Sequence, residues 1–195
     1  MKKLVFRMAG ILALFMLPTL ATAAPVKWKV DGGHSSVIFS VKHFNAAWFY
    51  GSFRRVKGHV VLDRKTPKNS SISVTIKAKS VFTANKKRDK HLRNADFFNV
   101  KRYPNITFKS KSISRVKKGH FKVNGALTFH GVTKNISVVF KITGKGKDPW
   151  GNVRLGTHAK FHFKRSNFGV KYMLGGLSDR VNLIVSLELV RRAKK

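Results

Sequence analysis

The chain has 195 residues, which is enough for one domain with a sizeable core and too few to suggest two domains. It contains no cysteine, so disulfide bonds and cysteine metal sites are excluded. Its 41 lysine and arginine residues against 7 acidic residues give a net charge of +34 at pH 7, which bears on solubility, association and environment rather than on the fold.

The first 23 residues have the composition of a secretory signal peptide. Bases at positions 2, 3 and 7 precede an apolar run over 8–17, and Ala21-Thr22-Ala23 supplies an A-x-A cleavage site. The apolar run is too short to span a hydrocarbon core of about 30 Å comfortably, which argues against a membrane anchor. We therefore predict cleavage after Ala23, a mature domain over residues 24–195 and secretion of that domain.

Alternation of apolar and polar residues with a period of two recurs along the mature chain and predicts β-strands. The segments with this pattern are 26–30, 37–43, 56–62, 72–78, 106–110, 121–129, 136–142, 153–163 and 181–189. Helical segments do not separate these strands, which excludes a parallel βαβ architecture. We predict an all-β, antiparallel up-and-down barrel of about eight strands, with a packed sandwich as the alternative.

The segment 88–110 interrupts the alternation. Its first half carries both charges and the adjacent pair Phe97 and Phe98, which favours a short helix or ordered loop with an apolar end on the core. Its second half becomes a strand after Tyr103-Pro104, because proline disfavours a helical residue before it. We therefore predict a short helical insertion in the barrel.

The interior of a closed eight-stranded barrel either fills with side chains or holds one elongated ligand. Four small residues have inward strand parity among the aromatic ones: Ala78, Gly125, Thr157 and Ala159. They favour an incompletely filled, apolar interior. Small inward residues also serve to taper a packed barrel, so a core without a cavity is the alternative.

Four ordered motifs carry a family resemblance. The segment 88–110 contains Arg88, Asp89, His91, Leu92, Phe97, Phe98, Tyr103, Pro104, Ile106, Phe108 and Ser110. An earlier motif consists of Asp31, His34, Ser35, Val37, Phe39, Val41 and His43, followed by Gly51 and Phe53. The later motifs are LTFHGVTK at 127–134 and RSNFG at 165–169. Together they resemble the YceI-like family, periplasmic lipocalin-like proteins that bind isoprenoid lipids; Asn99 and Asn167 stand where the family pattern leads us to expect Asp.

The resemblance implies a lipocalin-like barrel that binds a polyisoprenoid or similar amphiphilic lipid without catalysis, as a carrier or store. The tail is expected inside the barrel and the head group at its mouth. Inward parity and the resemblance together predict a lipid-binding interior formed by Phe39, Val41, His43, Val74, Ile76, Ile106, Phe108, Leu127, Phe129, Val138, Phe140, Phe161 and Phe163. The polar candidates for the head group, or for a structural role, are Arg88, Asp89, His91 and Arg165; for Arg88 and Asp89 the structural alternative is an ion pair that fixes the insertion on the barrel.

Catalytic and metal sites have little support in the sequence. None of the eight histidines stands in an H-x-x-x-H or H-E-x-x-H arrangement, and His34 and His43 have opposite strand parity. Ser35 beside His34 lacks a nucleophile elbow, and the few acids are scattered singly. We expect no enzyme activity, no metal and no cofactor.

The charge motivates a second function class, a cationic surface that binds anionic membranes or polymers. Bases lie on nearly every outward strand face, for example at Lys42, Lys57, Lys77, Lys109, Lys122, Lys141 and Lys160. They form no single stripe, and secretion removes most nucleic-acid partners. The expected partners are an amphiphilic lipid and, peripherally, an anionic membrane, but no nucleic acid; monomer and homodimer are both left open.

Overall fold

The computed structural model describes residues 24–192, which form ten β-strands and one α-helix. The strands are β1 (Val26–His43), β2 (Ala47–Phe53), β3 (Val56–Leu62), β4 (Ser71–Lys77), β5 (Val81–Phe82), β6 (Asn105–Lys117), β7 (His120–Phe129), β8 (Val132–Lys147), β9 (Asn152–Lys164) and β10 (Arg180–Arg192). The helix, α1, spans Lys86–Leu92, and 3₁₀ turns occur at Pro67–Asn69, Ala78–Ser80 and Arg165–Phe168. The predicted signal peptide, residues 1–23, lies outside the described residues. Within 24–192, no helix has the length and apolar character needed to cross a membrane.

Eight of the strands close into a barrel. Strands β1, β3, β4, β6, β7, β8, β9 and β10 are neighbours in the order of the sequence, and β10 returns to pair with β1. The pairings that form this ring are all antiparallel. The predicted up-and-down, lipocalin-like barrel of about eight strands is confirmed.

Strand β1 is longer than the alternation predicted. The predicted segments 26–30 and 37–43 belong to this one strand, which is irregular between Asp31 and Ser36. One edge of β1 pairs first with β3 and then with β2, so these two strands lie end to end along it. Gly32 lies at the irregularity, where a Cβ would overlap the carbonyl oxygen of Val56; glycine therefore allows the close approach of the two strands.

The strand directions define two different ends of the barrel. One end, which we call the mouth, carries the β1–β2 turn at 44–46, the helical insertion, the β7–β8 turn at 130–131 and the segment 165–179. The opposite end carries the turns at 63–70, 118–119 and 148–151. Trp28, Val30 and Leu155 are buried near that opposite end, and their side chains fill it.

The insertion between β5 and β6 has the predicted form of a short helix followed by an apolar anchor. Asn85 caps α1 by accepting a hydrogen bond from the backbone N–H of Arg88 at 2.9 Å. Phe97 is buried after the helix, and the ring of Phe98 packs against Phe53 with centroids 5.3 Å apart. These aromatic contacts hold the insertion against the mouth of the barrel.

The β7–β8 turn shows how tightly the mouth is packed. His130 and Gly131 have φ of 50° and 76°, the conformation that a two-residue hairpin requires and that glycine adopts readily. The ring of Tyr103 lies against Gly131, where it would overlap any Cβ. Tyr103 therefore joins the insertion to this hairpin.

Candidate ligand-binding cavity

The barrel contains a cavity of about 620 Å³. Eight-stranded barrels are wide enough to hold one small ligand, and this volume lies in the range of protein ligand pockets. All of the interior residues predicted from the sequence line it, namely Phe39, Val41, His43, Val74, Ile76, Ile106, Phe108, Leu127, Phe129, Val138, Phe140, Phe161 and Phe163. Their participation in ligand binding stays a prediction.

Two further groups of side chains complete the wall. Strand β10 contributes Val181, Leu183, Val185, Leu187 and Leu189, whose alternation had predicted a strand. The mouth contributes Trp48, Phe49, Tyr172, Met173 and Leu177. Sequence reasoning missed this second group, because no alternation of period two marks the segments that carry it.

The small residues with inward parity do not all face the cavity. Thr157 and Ala159 line it, whereas Ala78 and Gly125 do not. A Cβ on Gly125 would lie 2.5 Å from Cζ of Phe108, so this ring already fills the space beside the glycine. The expectation that Gly125 leaves room for a ligand is wrong. Strand parity shows which face a residue points to, but it does not show which side chain of the neighbouring strand, here Phe108 on β6, lies beside it.

Arg88 and Asp89 both contact Thr83 rather than each other. The Nε of Arg88 donates to Oγ1 of Thr83 at 3.0 Å, and its Nη2 donates to the Thr83 carbonyl oxygen at 2.8 Å. Thr83 Oγ1 in turn donates to Oδ1 of Asp89 at 2.6 Å. The ion pair considered as their structural role is therefore not formed in the described part of the chain; Thr83 links the two side chains instead.

The two residues occupy different places relative to the cavity. Asp89 is buried and does not line it, whereas Arg88 does. The guanidinium of Arg88 also lies 4.4 Å from the ring centre of Phe49, another lining residue. Its hydrogen bonds use Nε and Nη2, so within residues 24–192 Nη1 has no hydrogen-bond acceptor. Arg88 is thus the better placed of the two for a ligand head group.

His91 lines the cavity where the helical insertion meets the segment 165–179. Its Nε2 lies 2.8 Å from Oδ2 of Asp96. The ring stands edge-on to Phe97 and Tyr172, with centroids 5.1 Å and 5.4 Å apart. These contacts fix the imidazole between the insertion and the facing loop.

Arg165 is buried and organises the segment that follows it. Its guanidinium donates hydrogen bonds to the backbone carbonyl oxygens of Val170, Tyr172, Leu177 and Ser178, at 2.7 to 3.3 Å. Burial lowers the pKa of this guanidinium from its ordinary value, and the nearby charge of Asp179 opposes that shift. This hydrogen bonding favours the structural alternative for Arg165, although the side chain also reaches the cavity wall.

The polar part of the cavity wall has one sign of charge. Arginines and histidines line it at Arg88, Arg165, His43, His91 and His158. No aspartate or glutamate among the described residues does so. An anionic or hydrogen-bond-accepting group would therefore meet donors and no carboxylate at this wall.

A separate charged cluster lies outside the cavity, where β1 and β10 meet. Asp31, His34 and Glu188 offer ligand atoms within 4.8 Å of one another. Arg154 contacts the carboxylates of both Asp31 and Glu188, and its Nε donates to Oδ2 of Asp148 at 2.9 Å. The guanidinium already supplies positive charge between these acids, so the cluster fits an ion-pair network better than a metal site.

The network shifts the pKa values of its members. The hydrogen bond from Arg154, followed by that from His34, lowers the pKa of Asp31 to about 2. Hydrogen bonds to Asp31, Glu188 and Asp148, with Asp31 contributing most, raise the pKa of Arg154 above its ordinary value. The pair of Asp31 with Arg154 therefore stays ionised well into the acid range.

The chain resembles known proteins in both sequence and fold. The YceI-like domain model matches residues 28–189. Protein YceI of Escherichia coli O157:H7 is 40% identical over 172 residues, which cover 88% of this chain and 90% of that protein. The crystal structure of the Campylobacter jejuni YCEI protein matches with a TM-score of 0.65 and 32% identity over 73% of this chain and 85% of that one.

A more distant structure shares the fold. A polyisoprenoid binding domain from Saccharophagus degradans, implicated in plant cell wall breakdown, matches with a TM-score of 0.64 and 14% identity. The match covers 83% of this chain and 97% of that domain. The family model and the Escherichia coli relative both extend over most of the barrel. The chain belongs to the YceI-like family.

Proposed function

We propose that the protein binds a polyisoprenoid or similarly long amphiphilic lipid in the periplasm, without catalysis, as a carrier or store. The tail lies in the barrel and the polar head at the mouth. The observation that carries this proposal is the 620 Å³ cavity with its nearly continuous apolar wall. Apolar surface of this kind gains free energy when a hydrocarbon chain replaces water.

The arrangement of polar groups supports an amphiphile rather than a plain hydrocarbon. Arg88, His91 and Arg165 reach the cavity from the insertion and from the segment 165–179, both at the mouth. Most of the remaining wall consists of aliphatic and aromatic side chains. A ligand with one polar end matches this division, because its head meets hydrogen-bond donors while its tail stays among apolar groups.

A known domain of the same fold supports the choice of lipid. The Saccharophagus degradans domain of the same fold is described as polyisoprenoid binding. Aromatic side chains are frequent on the cavity wall, among them Phe39, Phe108, Phe129 and Phe140. Branched, unsaturated chains pack well against such rings, which is consistent with an isoprenoid tail.

The composition of the wall also supports binding without catalysis. Within residues 24–192, no serine, aspartate or glutamate lines the cavity. Histidines of the wall are bases, but Thr157, the residue there that could serve as a nucleophile, donates to the carbonyl oxygen of Leu187 at 3.3 Å rather than to a histidine. The N-terminal sequence, with its bases, short apolar run and A-x-A site, supports export to the periplasm.

Mass spectrometry of the protein purified from the periplasm of its own host tests the proposal. We expect organic solvent to release a stoichiometric lipid with an isoprenoid chain. The same extraction of a periplasmic protein of similar charge serves as the control for lipid carried over on basic surfaces. Purification without any stoichiometric lipid, together with failure to take up added polyprenols, would contradict the proposal.

The charge favours a second candidate function, binding of the outer surface to anionic membranes or polymers. Exposed bases occur on most strands, for example Lys57, Lys122, Lys141 and Lys160. Charge distributed in this way attracts any anionic surface without selecting a molecule. Mass spectrometry separates the two candidates, since a surface binder retains no defined lipid after washing at high salt.

A further inference from the structure

Large apolar side chains stand exposed around the mouth. The β1–β2 region carries Phe44 and Trp48, which are 60% and 47% exposed, and the segment 165–179 carries exposed Tyr172, Met173 and Leu174. We call these five residues the rim. Apolar side chains gathered at one site on an otherwise charged protein mark an interaction surface.

The two loops that carry the rim form one continuous surface. The backbone N–H of Phe44 donates to the carbonyl oxygen of Gly176 at 2.7 Å, and His43 forms an isolated β-bridge with Leu177. The side chains of Phe44 and Met173 both lie beside Gly176, where a Cβ would come within 2.9 Å and 2.6 Å of them. The rim is therefore held in place by hydrogen bonds and packing across the mouth.

Part of the rim is kept at a conformational cost. Phe44 and Asn45 have φ of 45° and 57° in a turn closed by a hydrogen bond from Ala46 N–H to the His43 carbonyl oxygen, and Met173 has φ of 54°. Such positions favour glycine, asparagine and aspartate. Phenylalanine and methionine at these positions lower the stability of the fold. Because their side chains are exposed, burial of apolar surface offsets little of this cost. Backbone outliers of this kind, with apolar side chains directed into solvent, point to a role outside folding.

The surroundings of the rim are basic. Lys42 lies with its ammonium 5.8 Å from the ring centre of Trp48, and exposed Lys171 precedes Tyr172. The segments 42–50 and 171–177 contain no acidic residue, and the exposed acid near the rim, Asp96, is paired with His91, whose ring stands edge-on to Tyr172. Tryptophan, tyrosine and other apolar side chains next to lysine are the composition of surfaces that enter the interface of anionic bilayers.

The rim is also the border of the cavity. Trp48, Tyr172 and Met173 are exposed to solvent and line the cavity at the same time. A partner seated on the rim therefore faces the cavity directly. A second copy of the chain is a poor partner, because the protein remains strongly basic after loss of the predicted signal peptide, and two such molecules repel each other.

We propose that the rim inserts into the surface of an anionic phospholipid bilayer and seats the mouth on the membrane. Phe44, Trp48, Met173 and Leu174 enter the interfacial region, while Lys42 and Lys171 contact the lipid phosphates. In this orientation a lipid ligand passes between the bilayer and the barrel without crossing water. That passage of lipid rests on the proposed function, whereas the docking itself does not.

A vesicle-binding assay tests the docking. The assay uses the protein in the form that its host produces after processing. We use phosphatidylcholine vesicles with and without phosphatidylglycerol, and a rim variant that combines Phe44→Asn with Leu174→Ser. Neither of these residues lines the cavity. We expect the variant to partition into anionic vesicles about tenfold less than the parent. Trp150→Ser is the matched control, since Trp150 is 79% exposed at the opposite end and should not affect binding.

The single variant Phe44→Asn gives the test a second readout. Asparagine tolerates positive φ, so this variant should melt at a higher temperature than the parent while binding vesicles more weakly. Opposite signs for stability and binding exclude misfolding as the cause of lost binding.

Fluorescence locates the contact. We compare Trp150→Phe, which keeps Trp48, with Trp48→Phe, which keeps Trp150; both keep the buried Trp28. Brominated lipids should quench the first protein and leave the second almost unchanged.

The proposal would be overturned by unchanged vesicle binding of the rim variant, by equal quenching of both proteins, or by a parent dimer that the rim variant abolishes. Recovery of a stoichiometric lipid from a parent that does not bind vesicles would refute docking and leave the proposed function intact. Vesicle binding by a parent that yields no extractable lipid and takes up no added polyprenol would refute the proposed function instead.

Discussion

At the scale of single residues, Ala159 is the position where the cavity can be reduced with least disturbance. It lies on β9, is buried, and lines the cavity beside Phe140, its partner on the adjacent strand β8. We expect Ala159→Trp to lower the molar ratio of bound lipid severalfold, because the indole occupies the space of the tail. Overpacking costs about 1–3 kcal/mol, which a closed barrel tolerates. Solvent extraction with mass spectrometry gives the ratio, and circular dichroism checks the fold.

Lys160→Trp is the control for this substitution. Lys160 is the next residue on β9 and is exposed on the outer face. Both variants add an indole to the same strand, and only the inner one should displace lipid. Equal lipid content in the two variants would place the ligand outside the barrel.

In our proposal Arg88 binds the polar head group of the lipid. We expect Arg88→Gln to weaken binding of a polyprenyl phosphate about tenfold and to leave a polyprenol of equal length nearly unaffected, because the lost interaction is a charged hydrogen bond. Titration of lipid-free protein with both ligands measures the difference. Lys87→Gln removes an exposed charge from the same helix without touching the cavity wall, so it should change neither affinity. A similar loss for both ligands in Arg88→Gln would indicate a structural role alone.

The sequence predicted the cavity wall better than the polar contacts, for a physical reason. Side chains of a regular strand alternate between two faces, so parity, together with the family resemblance, identified wall residues such as Phe39 and Phe163. Parity is silent about neighbours on other strands, which is why the ring of Phe108 beside Gly125 was not foreseen. The role of Thr83 between Arg88 and Asp89 also depends on a loop conformation that no periodic pattern encodes.

At the scale of elements, the Arg154 network joins four parts of the barrel. Arg154 lies on β9, Asp31 on β1 and Glu188 on β10, and Asp148 lies in the β8–β9 turn. Three of the chain's seven acidic residues are thus gathered on one guanidinium at the junction of the first and last strands. Networks of this kind stabilise more than isolated surface pairs.

This network predicts a specific response to pH. The lowered pKa of Asp31, about 2, means that its stabilising contribution is present above the unfolded value near 4 and is lost as pH falls through the folded value. We expect Asp31→Asn to reduce stability by about 1 kcal/mol at pH 7 and by progressively less between pH of about 4 and 2. Thermal melts across this range measure the convergence, with Asp96→Asn, at an exposed pair with His91, as the control.

The parent protein should melt at nearly the same temperature from pH 7 to about 4. The pKa values of Asp63, Asp148 and Asp179 are also lowered by hydrogen bonds, although burial acts against the shift. Protonation of these three carboxylates is therefore displaced to lower pH. A steep loss of melting temperature in that range would contradict this expectation.

The elements that the sequence failed to predict share a cause. Strand β2 reads AWFYGSF, with adjacent aromatic residues and no alternation, and β5 has only two residues. Both lie beside the barrel ring, where β2 pairs with the second half of β1 and with β5. Their formation depends on the exposed edge of β1 rather than on a pattern of their own. The two segments predicted within β1 were separated because the strand is irregular between Asp31 and Ser36.

At the scale of the whole molecule, charge and cavity predict two modes of lipid binding that salt separates. The excess of basic residues, which includes Lys42 and Lys171 beside the rim, attracts anionic vesicles, and this attraction is screened as ionic strength rises. A lipid held in the apolar cavity is almost insensitive to salt. We expect vesicle binding to fall steeply with added salt while the extracted lipid per protein stays constant. Sedimentation with vesicles and mass spectrometry follow the two quantities; a parallel decline would indicate one external site.

The pairing of β1 with β10 also has a consequence for how the chain folds. The first and last strands of the described chain form one seam, with Lys29 opposite Val190 and Ser40 opposite Asn182. Contacts between residues so distant in sequence form late, because the chain loses much entropy before it gains them. Until β10 arrives, β1 and β9 keep open edges that can pair with other chains. The seam that removes every edge from the finished ring therefore leaves the incomplete chain prone to aggregate until its last strand is in place.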